Sequence, residues 1–209
     1  MSSPRFCWWV RFIRFSFKNE GVIAKSHAYK RQSMPGPTLE TARLILRPPA
    51  QDDLEGFAAM HAEPETMRHL GGVSDRDAAW RVMAAVAGSW SLLGYSMFSV
   101  IEKASGQWIG RVGPWRPGGE SCSWPGPEVG WGVRQAYAGK GYAFEAASAA
   151  IDWAFEHLGW DEVIHCIAPA NERSIALAER LGSTLLRTGR LPGPLYFDIE
   201  IYGQSKAQW

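Results

Sequence analysis

The residues of this chain best suited to chemistry sit in one short stretch, Arg134 to Ala143 (RQAYAGKGYA). It lies between an apolar run, Glu128 to Val133 (EVGWGV), and a long helical pattern that opens at Tyr142. The first backbone N–H groups of a helix lack intrahelical partners and sit at the positive end of its dipole, so a loop there binds phosphate if no side chain blocks access. Gly139 and Gly141 remove that obstruction, and Lys140 places a cation between them, pointing to solvent or to the edge of a ligand. A nucleotide P-loop needs G-x-x-x-x-G-K-[ST], whose hydroxyl holds magnesium. Here Gly132 stands seven residues before Gly139 and Gly141 occupies the hydroxyl position, so ATP and GTP are disfavoured. A dinucleotide fingerprint also fails, because it needs G-x-G-x-x-G in the first strand-helix unit with an acid about 20 residues on. By itself, Gly139-Lys140-Gly141 is as compatible with a plain helix-start turn as with a ligand site.

The flanking elements give the loop its setting. Glu128 to Val133 reads as a strand whose two glycines, Gly130 and Gly132, mark a bulge or a close backbone approach to a ligand. Tyr142 to Leu158 reads as a helix with an alanine-rich face, stopped by Gly159. Val163 to Ala168, ended by Pro169, reads as a buried strand, so residues 128 to 168 permit a parallel crossover. Asn171 and Ser174 precede a short helix, Ile175 to Leu181, and two more strands are expected over Ser183 to Thr188 and Tyr196 to Tyr202. Upstream, Leu39 to Arg47 alternates as a first strand, with Leu44 and Leu46 on one side. A helix follows Asp52-Asp53, and a second runs from Ser74-Asp75 to Gly88. Tyr95 to Glu102 and Gln107 to Trp115 form a hairpin, and the Pro-Gly-Ser-rich stretch Arg116 to Pro127 is a loop near the site.

Composition narrows the class. The chain has 209 residues, 46% hydrophobic and 21% charged, which fits one folded domain and a tail. No stretch reaches the roughly 20 apolar residues of a membrane span, and a cytoplasmic location is expected. Cys7, Cys122 and Cys166 are widely spaced and without CxxC or paired histidines, so neither a disulfide framework nor a metal site is indicated. The net charge of +1 disfavours a nucleic-acid partner. It conceals an asymmetry: residues 1 to 34 hold seven basic residues and one acid, while 35 to 209 hold 15 basic and 20 acidic residues, a balance of −5. With the turn signature Met34-Pro35-Gly36-Pro37, this sets residues 1–36 apart as a basic, aromatic extension and 37–209 as the domain. The extension suits a membrane-surface or ribosome tether. The simpler reading is an upstream extension of the reading frame with Met34 as its natural start, because Arg11 and Arg14 break any targeting h-region of roughly 7 to 15 residues.

The segments EVGWGVRQAYAGKGYAFEA (128 to 146), IAPANERSIALAERLGS (167 to 183) and LETARLILRP (39 to 48), in this order, resemble the GNAT acetyltransferase superfamily. Within it the chain is most similar to the branch of ribosomal-protein N-terminal acetyltransferases. The resemblance implies an α/β GNAT fold: a mixed, mostly antiparallel sheet flanked by helices, its fourth strand bulged and splayed from the fifth. It implies acetyl-CoA as cosubstrate. Trp131 and Val133 would offer strand backbone to acetyl and pantetheine, Ala138, Gly139, Lys140, Gly141, Tyr142 and Ala143 would wrap the pyrophosphate, and Asn171 would approach the pantetheine. The family loop, Q/R-x-x-G-x-G/A, begins here with Ala138, which weakens side-chain contacts while leaving the backbone cradle. Many members carry a tyrosine that protonates the departing thiolate; Ala178 stands in its place, and Ser174 is the substitute the branch suggests. For Asn171 and Ser174 the alternative is a turn or helix cap.

An acceptor amine must lose a proton before attacking a thioester, and the oxyanion needs a donor. Glu128, at the start of the splayed strand, is the carboxylate placed to relay that proton; the alternative is a strand-end surface charge. His165 and Cys166 are given structural roles, so direct transfer is favoured over a cysteine acyl-enzyme. Trp80, Trp108, Trp131 and Trp153 are expected in the core, Trp115 and Trp124 at an acceptor wall. The expected activity is acetyl transfer to a primary amine, a protein N-terminus or a small molecule. Ala138 and Ala178 keep a second reading open, a catalytically weak CoA-binding sensor. A homodimer, the commonest closed assembly, also stays open.

Overall fold

Alternating and continuous apolar runs build eight strands in a computed structural model that describes residues 36–117, 123–191 and 197–209. The expected extension, apart from Gly36, lies outside the described residues, as do Cys7, Cys122 and the middle of the Pro-Gly-Ser loop. The strands are β1 (Leu39–Glu40), β2 (Leu44–Arg47), β3 (Phe98–Glu102), β4 (Trp108–Trp115), β5 (Glu128–Val133), β6 (Glu162–Ile167), β7 (Thr184–Arg190) and β8 (Asp198–Ser205). They form one sheet in the order β1-β2-β3-β4-β5-β6-β8-β7, antiparallel throughout except between β5 and β6.

The expected first strand is in fact two. The chain folds back at Thr41, whose N–H donates to the Leu44 carbonyl (3.0 Å), because a side-chain hydroxyl competes with the ladder and favours a turn. This adds one strand to the count, so the splay expected between strands four and five lies between β5 and β6. Those two strands pair at a single register position, Glu128 opposite Ile164, and then separate. The expected bulge in β5 is absent: its pairing with β4 runs unbroken from Gly110↔Val133 to Trp115↔Glu128, and the register shift lies instead between β3 and β4 at Val100/Ile101. The close approach that its glycines permit is that of protein side chains. A Cβ on Gly130 would stand 2.8 Å from Met97 Cε, and one on Gly132 would stand 3.2 Å from Leu70 Cδ1.

Five helices flank the sheet: α1 (Leu54–His61), α2 (Pro64–Met67), α3 (Arg76–Leu93), α4 (Tyr142–His157) and α5 (Glu172–Arg180). On one side the alanine face of α4, with Ala146, Ala147, Ala150 and Ile151, packs on Leu44, Leu46, Phe98, Val100, Val112 and Val129. Small side chains let the helix lie close to the strands. A second cluster joins Phe57, Met60, Met67 and Met83 to Trp108. Helix α3 starts at Asp75, which accepts from Ala78 N–H (2.7 Å), and runs past the expected stop at Gly88 to the left-handed Gly94 (φ 78°). A helical glycine costs about 1 kcal/mol. Burial of Trp90 two residues later, with its indole N–H on the Met97 carbonyl (3.1 Å), outweighs that cost. The same helix corrects the reading of Trp80, which is 52% exposed: the buried stripe is Ala79, Met83, Val86 and Trp90, and Trp80 falls about 100° off it. Among the described residues no helix is long and apolar enough to cross a membrane.

Candidate active site

Helix α4 opens at Gly141 (φ 81°) with no side-chain cap, and its first intrahelical bond runs from Glu145 N–H to the Gly141 carbonyl (3.1 Å). The N–H groups of Tyr142, Ala143 and Phe144 are therefore left facing out of the helix end. Gly139 (φ 74°) is required by backbone conformation, since a Cβ there would meet nothing within 4 Å. These groups border a groove of about 670 Å³ whose walls include Trp131, Val133, Ala138, Gly139, Gly141, Tyr142, Ala143, Asn171 and Ser174. Of the residues expected at the cosubstrate, only Lys140 is off that wall: its ammonium lies 5.3 Å from the Tyr137 ring centre and borders an adjoining basin with Arg43 and Arg180.

Several groups at this groove escaped the sequence reading. Arg43 Nη1 donates to the Lys140 carbonyl (2.9 Å), and its Nε donates to Glu145 Oε2 (2.6 Å). Glu145 Oε1 also accepts from Arg43 N–H (2.8 Å) and the Thr41 hydroxyl (2.6 Å). Burial alone would raise the Glu145 carboxyl, but these hydrogen bonds outweigh it and hold it below the usual range. The β1–β2 turn thus clamps the first turn of α4 and turns a loop carbonyl away from the groove. In the sequence, Thr41 and Arg43 carried only an alternation signal. Arg173 and Arg180 also reach the groove wall; their spacing of seven, two turns of α5, was the available clue.

The gap between β5 and β6 is oriented by its hydrogen bonds. Arg134 N–H donates to the Ile109 carbonyl on the β4 side (2.9 Å), whereas the Val129 carbonyl accepts from His165 Nδ1 on the β6 side (2.7 Å). Strand backbone groups alternate sides, so Trp131 and Val133 share the side of Val129 and turn theirs into the gap. A carbonyl only accepts, so His165 Nδ1 carries hydrogen, and Nε2 keeps a lone pair with no protein partner among the described residues. Burial holds this imidazole down to about 4, with the Val129 bond opposing. The Trp131 ring centre lies 4.7 Å from that of His165, and its indole N–H donates to Ser174 Oγ (3.1 Å). Ser174 thereby accepts at its oxygen and keeps its own hydrogen to donate. The cap of α5 is Asn171, whose Oδ1 accepts from Ser174 N–H (3.3 Å); Ser174 itself lies within the first turn rather than capping it. Ala178 is fully buried against Ile167 and Tyr202.

A second cavity of about 300 Å³ opens on the other side of the gap and shares Trp131, Asn171 and Ser174 with the groove. Glu128 lines it. Far from a surface charge, this carboxylate is 6% exposed and accepts from Trp124 Nε1 (2.6 Å) and Cys166 N–H (3.3 Å). Burial pushes it up to about 7, against the pull of those hydrogen bonds and of Arg111. Trp115 and Trp124 both stand at the wall, with Arg111, His61 and Phe197. Burial, followed by the repulsion of Arg111, holds His61 down to about 4. Burial and the neighbouring Glu128 push the Cys166 thiol far above its ordinary value, so it is a thiol and not a nucleophilic thiolate.

This geometry has known counterparts. An acetyltransferase structure from Agrobacterium tumefaciens str. C58 is 32% identical, with a TM-score of 0.70 over 81% of this chain and 95% of its own. An uncharacterised N-acetyltransferase, p20, of Bacillus licheniformis is 29% identical over 146 residues, 69% of this chain and 80% of that protein. YdaF of Bacillus subtilis, provisionally named a ribosomal N-acetyltransferase, is 32% identical over 85 residues, 39% of this chain and 46% of that protein. Residues 43–184 match the acetyltransferase (GNAT) domain. With an open sheet, an uncapped helix end and a family match across most of its described residues, the chain belongs to the GNAT acetyltransferases and is an acyltransferase.

Proposed function

We propose that the chain moves acetyl from acetyl-CoA to a primary amine by direct attack in a ternary complex. The observation that carries this reading is the meeting of two cavities at Trp131, Asn171 and Ser174, one floored by an uncapped helix end and the other by a buried carboxylate. The groove fits a CoA thioester: unpaired N–H groups and Arg173 and Arg180 suit its phosphates, and the free backbone edge at Trp131 and Val133 suits its pantetheine amides. Bound there, acetyl-CoA would supply an activated acyl carbonyl.

The protein's own groups supply the rest. Glu128, raised to about 7, takes the proton of the incoming ammonium near neutrality, and the freed amine forms the new C–N bond as the C–S bond breaks. The Ser174 hydroxyl, oriented by the Trp131 indole, donates to the departing thiolate and is restored, through water, by the second proton that the nitrogen gives up as the amide forms. A cysteine acyl-enzyme is disfavoured because Cys166 is held as the thiol. The acceptor is a protein N-terminus or a small amine; the name of YdaF favours the former and the modest cavity the latter. Residues 37–209 are the catalytic domain in this reading and 1–36 an extension to it, and the protein acts in the cytoplasm.

Free-thiol release from acetyl-CoA with a panel of amines tests the proposal. Saturable cosubstrate binding with amine-dependent thiol release is expected. Binding without release from any amine would favour the sensor reading, motivated by Ala138 and Ala178. Binding that survives valine at both Gly139 and Gly141 would remove the groove from the account.

A further inference from the structure

The acceptor cavity holds a charge that the transfer reaction does not use. Arg111 lies on β4 opposite Gly132, and the pairs Gly113↔Gly130 and Trp115↔Glu128 follow it on the same face. Between Arg111 and Glu128 that face carries only glycines, so nothing on the two strands stands between the arginine and the carboxylate. The guanidinium reaches along the strand, its carbon 5.8 Å from the ring centre of Trp115, the residue paired with Glu128.

Arg111 is 9% exposed. A guanidinium presents five N–H donors. Here Nη1 rests on the thioether sulfur of Met97 (3.1 Å), a weak acceptor, and Nε has no partner. Among the described residues no carboxylate, carbonyl or hydroxyl bonds to it. A buried cation left so poorly partnered is expensive to keep, and salt bridges and hydrogen bonds ordinarily compensate it. Burial lowers it only to about 10, with Glu128 opposing, so the charge persists at neutral pH.

We propose that Arg111 binds a carboxylate on the acceptor, and hence that the substrate is a small aminocarboxylate with an apolar side chain. This rests on the reading that the cavity receives the amine. The cavity presents one buried cation beside one buried carboxylate, and the complementary ligand carries an anion beside an ammonium. A polyamine would meet Arg111 with like charge, and a simple alkylamine would leave it unpaired. Trp115, Trp124 and Phe197 supply the apolar wall, and about 300 Å³ is at the small end of ligand cavities, suiting a single amino acid. The other cations nearby, Arg173 and Arg180, belong to the groove.

The test compares phenylalanine, leucine and methionine with their decarboxylated amines and with a C-terminally amidated tripeptide that has a free N-terminus and apolar side chains, using the full chain, acetyl-CoA and thiol release. A kcat/KM preference for the carboxylates of about 100-fold is expected, since a site built to bond a polar group discriminates strongly against its absence. Compared at a pH above the Glu128 limb, because loss of the neighbouring cation raises that carboxyl further, Arg111→Met should abolish that preference by raising KM for the amino acids with acetyl-CoA affinity kept, and Arg111→Lys should restore part of it. Equal rates for amine and amino acid, preference for the tripeptide amide, or equal losses on all acceptors in Arg111→Met would overturn the inference while leaving acetyl transfer intact. If no acceptor turns over, the transfer reading fails separately. Calorimetry of phenylalanine, leucine and methionine with the CoA-loaded chain then decides: saturable binding lost in Arg111→Met supports the anchor, and no binding overturns it.

Discussion

At Glu128 the role proposed in proton transfer and a cost in stability come from the same burial. Its carboxyl is raised in the folded protein, from about 4.5 to about 7, chiefly by burial, so the native state holds the proton more tightly than the unfolded chain. A raised carboxyl favours folding below its ordinary value and opposes it once pH climbs through the folded value. At pH 8, Glu128→Gln is therefore expected to raise stability, by about 1–3 kcal/mol on a denaturant midpoint at unchanged slope. The same substitution should lower kcat/KM by roughly 10²–10⁴ and erase the ascending limb expected of the native protein near pH 7. A variant that kept both the limb and the rate would acquit Glu128 as the base. Ser174 differs: its proposed contribution would lie in a hydrogen that Trp131 leaves free by donating to its oxygen.

At the scale of elements, the site depends on a brace outside it. Arg43 and Thr41, on the turn between β1 and β2, grip Glu145 in the first turn of α4, and Arg43 also fixes the Lys140 carbonyl. An acidic residue in that turn already favours the helix, and the clamp converts that preference into a fixed direction for the loop. Arg43→Met should weaken acetyl-CoA binding about tenfold by calorimetry while the far-ultraviolet spectrum stays unchanged. An unaltered affinity would reduce the contact to a surface ion pair, commonly worth little. The elements nearest the chemistry were also the most legible: β5 occupies the expected residues 128–133, and α4 begins at the expected Tyr142. Glycine placement and apolar periodicity agreed there. They disagreed elsewhere. Gly88 suggested an end that the burial of Trp90 overrode, and Thr41 turned a seemingly continuous strand into two.

For the whole molecule, two buried histidines, one on α1 and one on β6, are expected to set the acid limit of stability. His61 and His165 are 3% and 1% exposed, each held neutral with its folded value pressed to about 4, mainly by burial. A histidine depressed in this way favours folding above its ordinary value near 6.5 and loses that contribution as pH falls toward 4. The unfolding midpoint should therefore drop between pH 6.5 and 4. His165→Gln, which can still donate to the Val129 carbonyl, should flatten the decline by up to about 3 kcal/mol. A decline that His165→Gln leaves unchanged would place the acid sensitivity in other groups. Charge is arranged on the same scale: residues 35–209 carry an excess of five acids, yet Arg173, Arg180, Arg43 and Lys140 border the groove and its adjoining basin. Such local focusing outweighs the net sign for an anionic ligand.

Local order was enough to determine the strand-loop-helix that borders the groove, because glycine conformation, helix-end donors and apolar period act over a few residues and are written consecutively. Trp131, Asn171 and Ser174 were nominated by the resemblance to the family, and Glu128 by its place on the strand that the resemblance splays. Partnership was decided only by the tertiary structure. The clamp from Arg43 to Glu145 spans 102 residues, and the bond from His165 to Val129 spans 36. Whether Glu128 is a surface charge or a buried carboxylate, and whether Arg111 is paired, depends on which side chains other strands bring beside them. Burial and electrostatic coupling are properties of the assembled sheet, and no spacing along the chain encodes them.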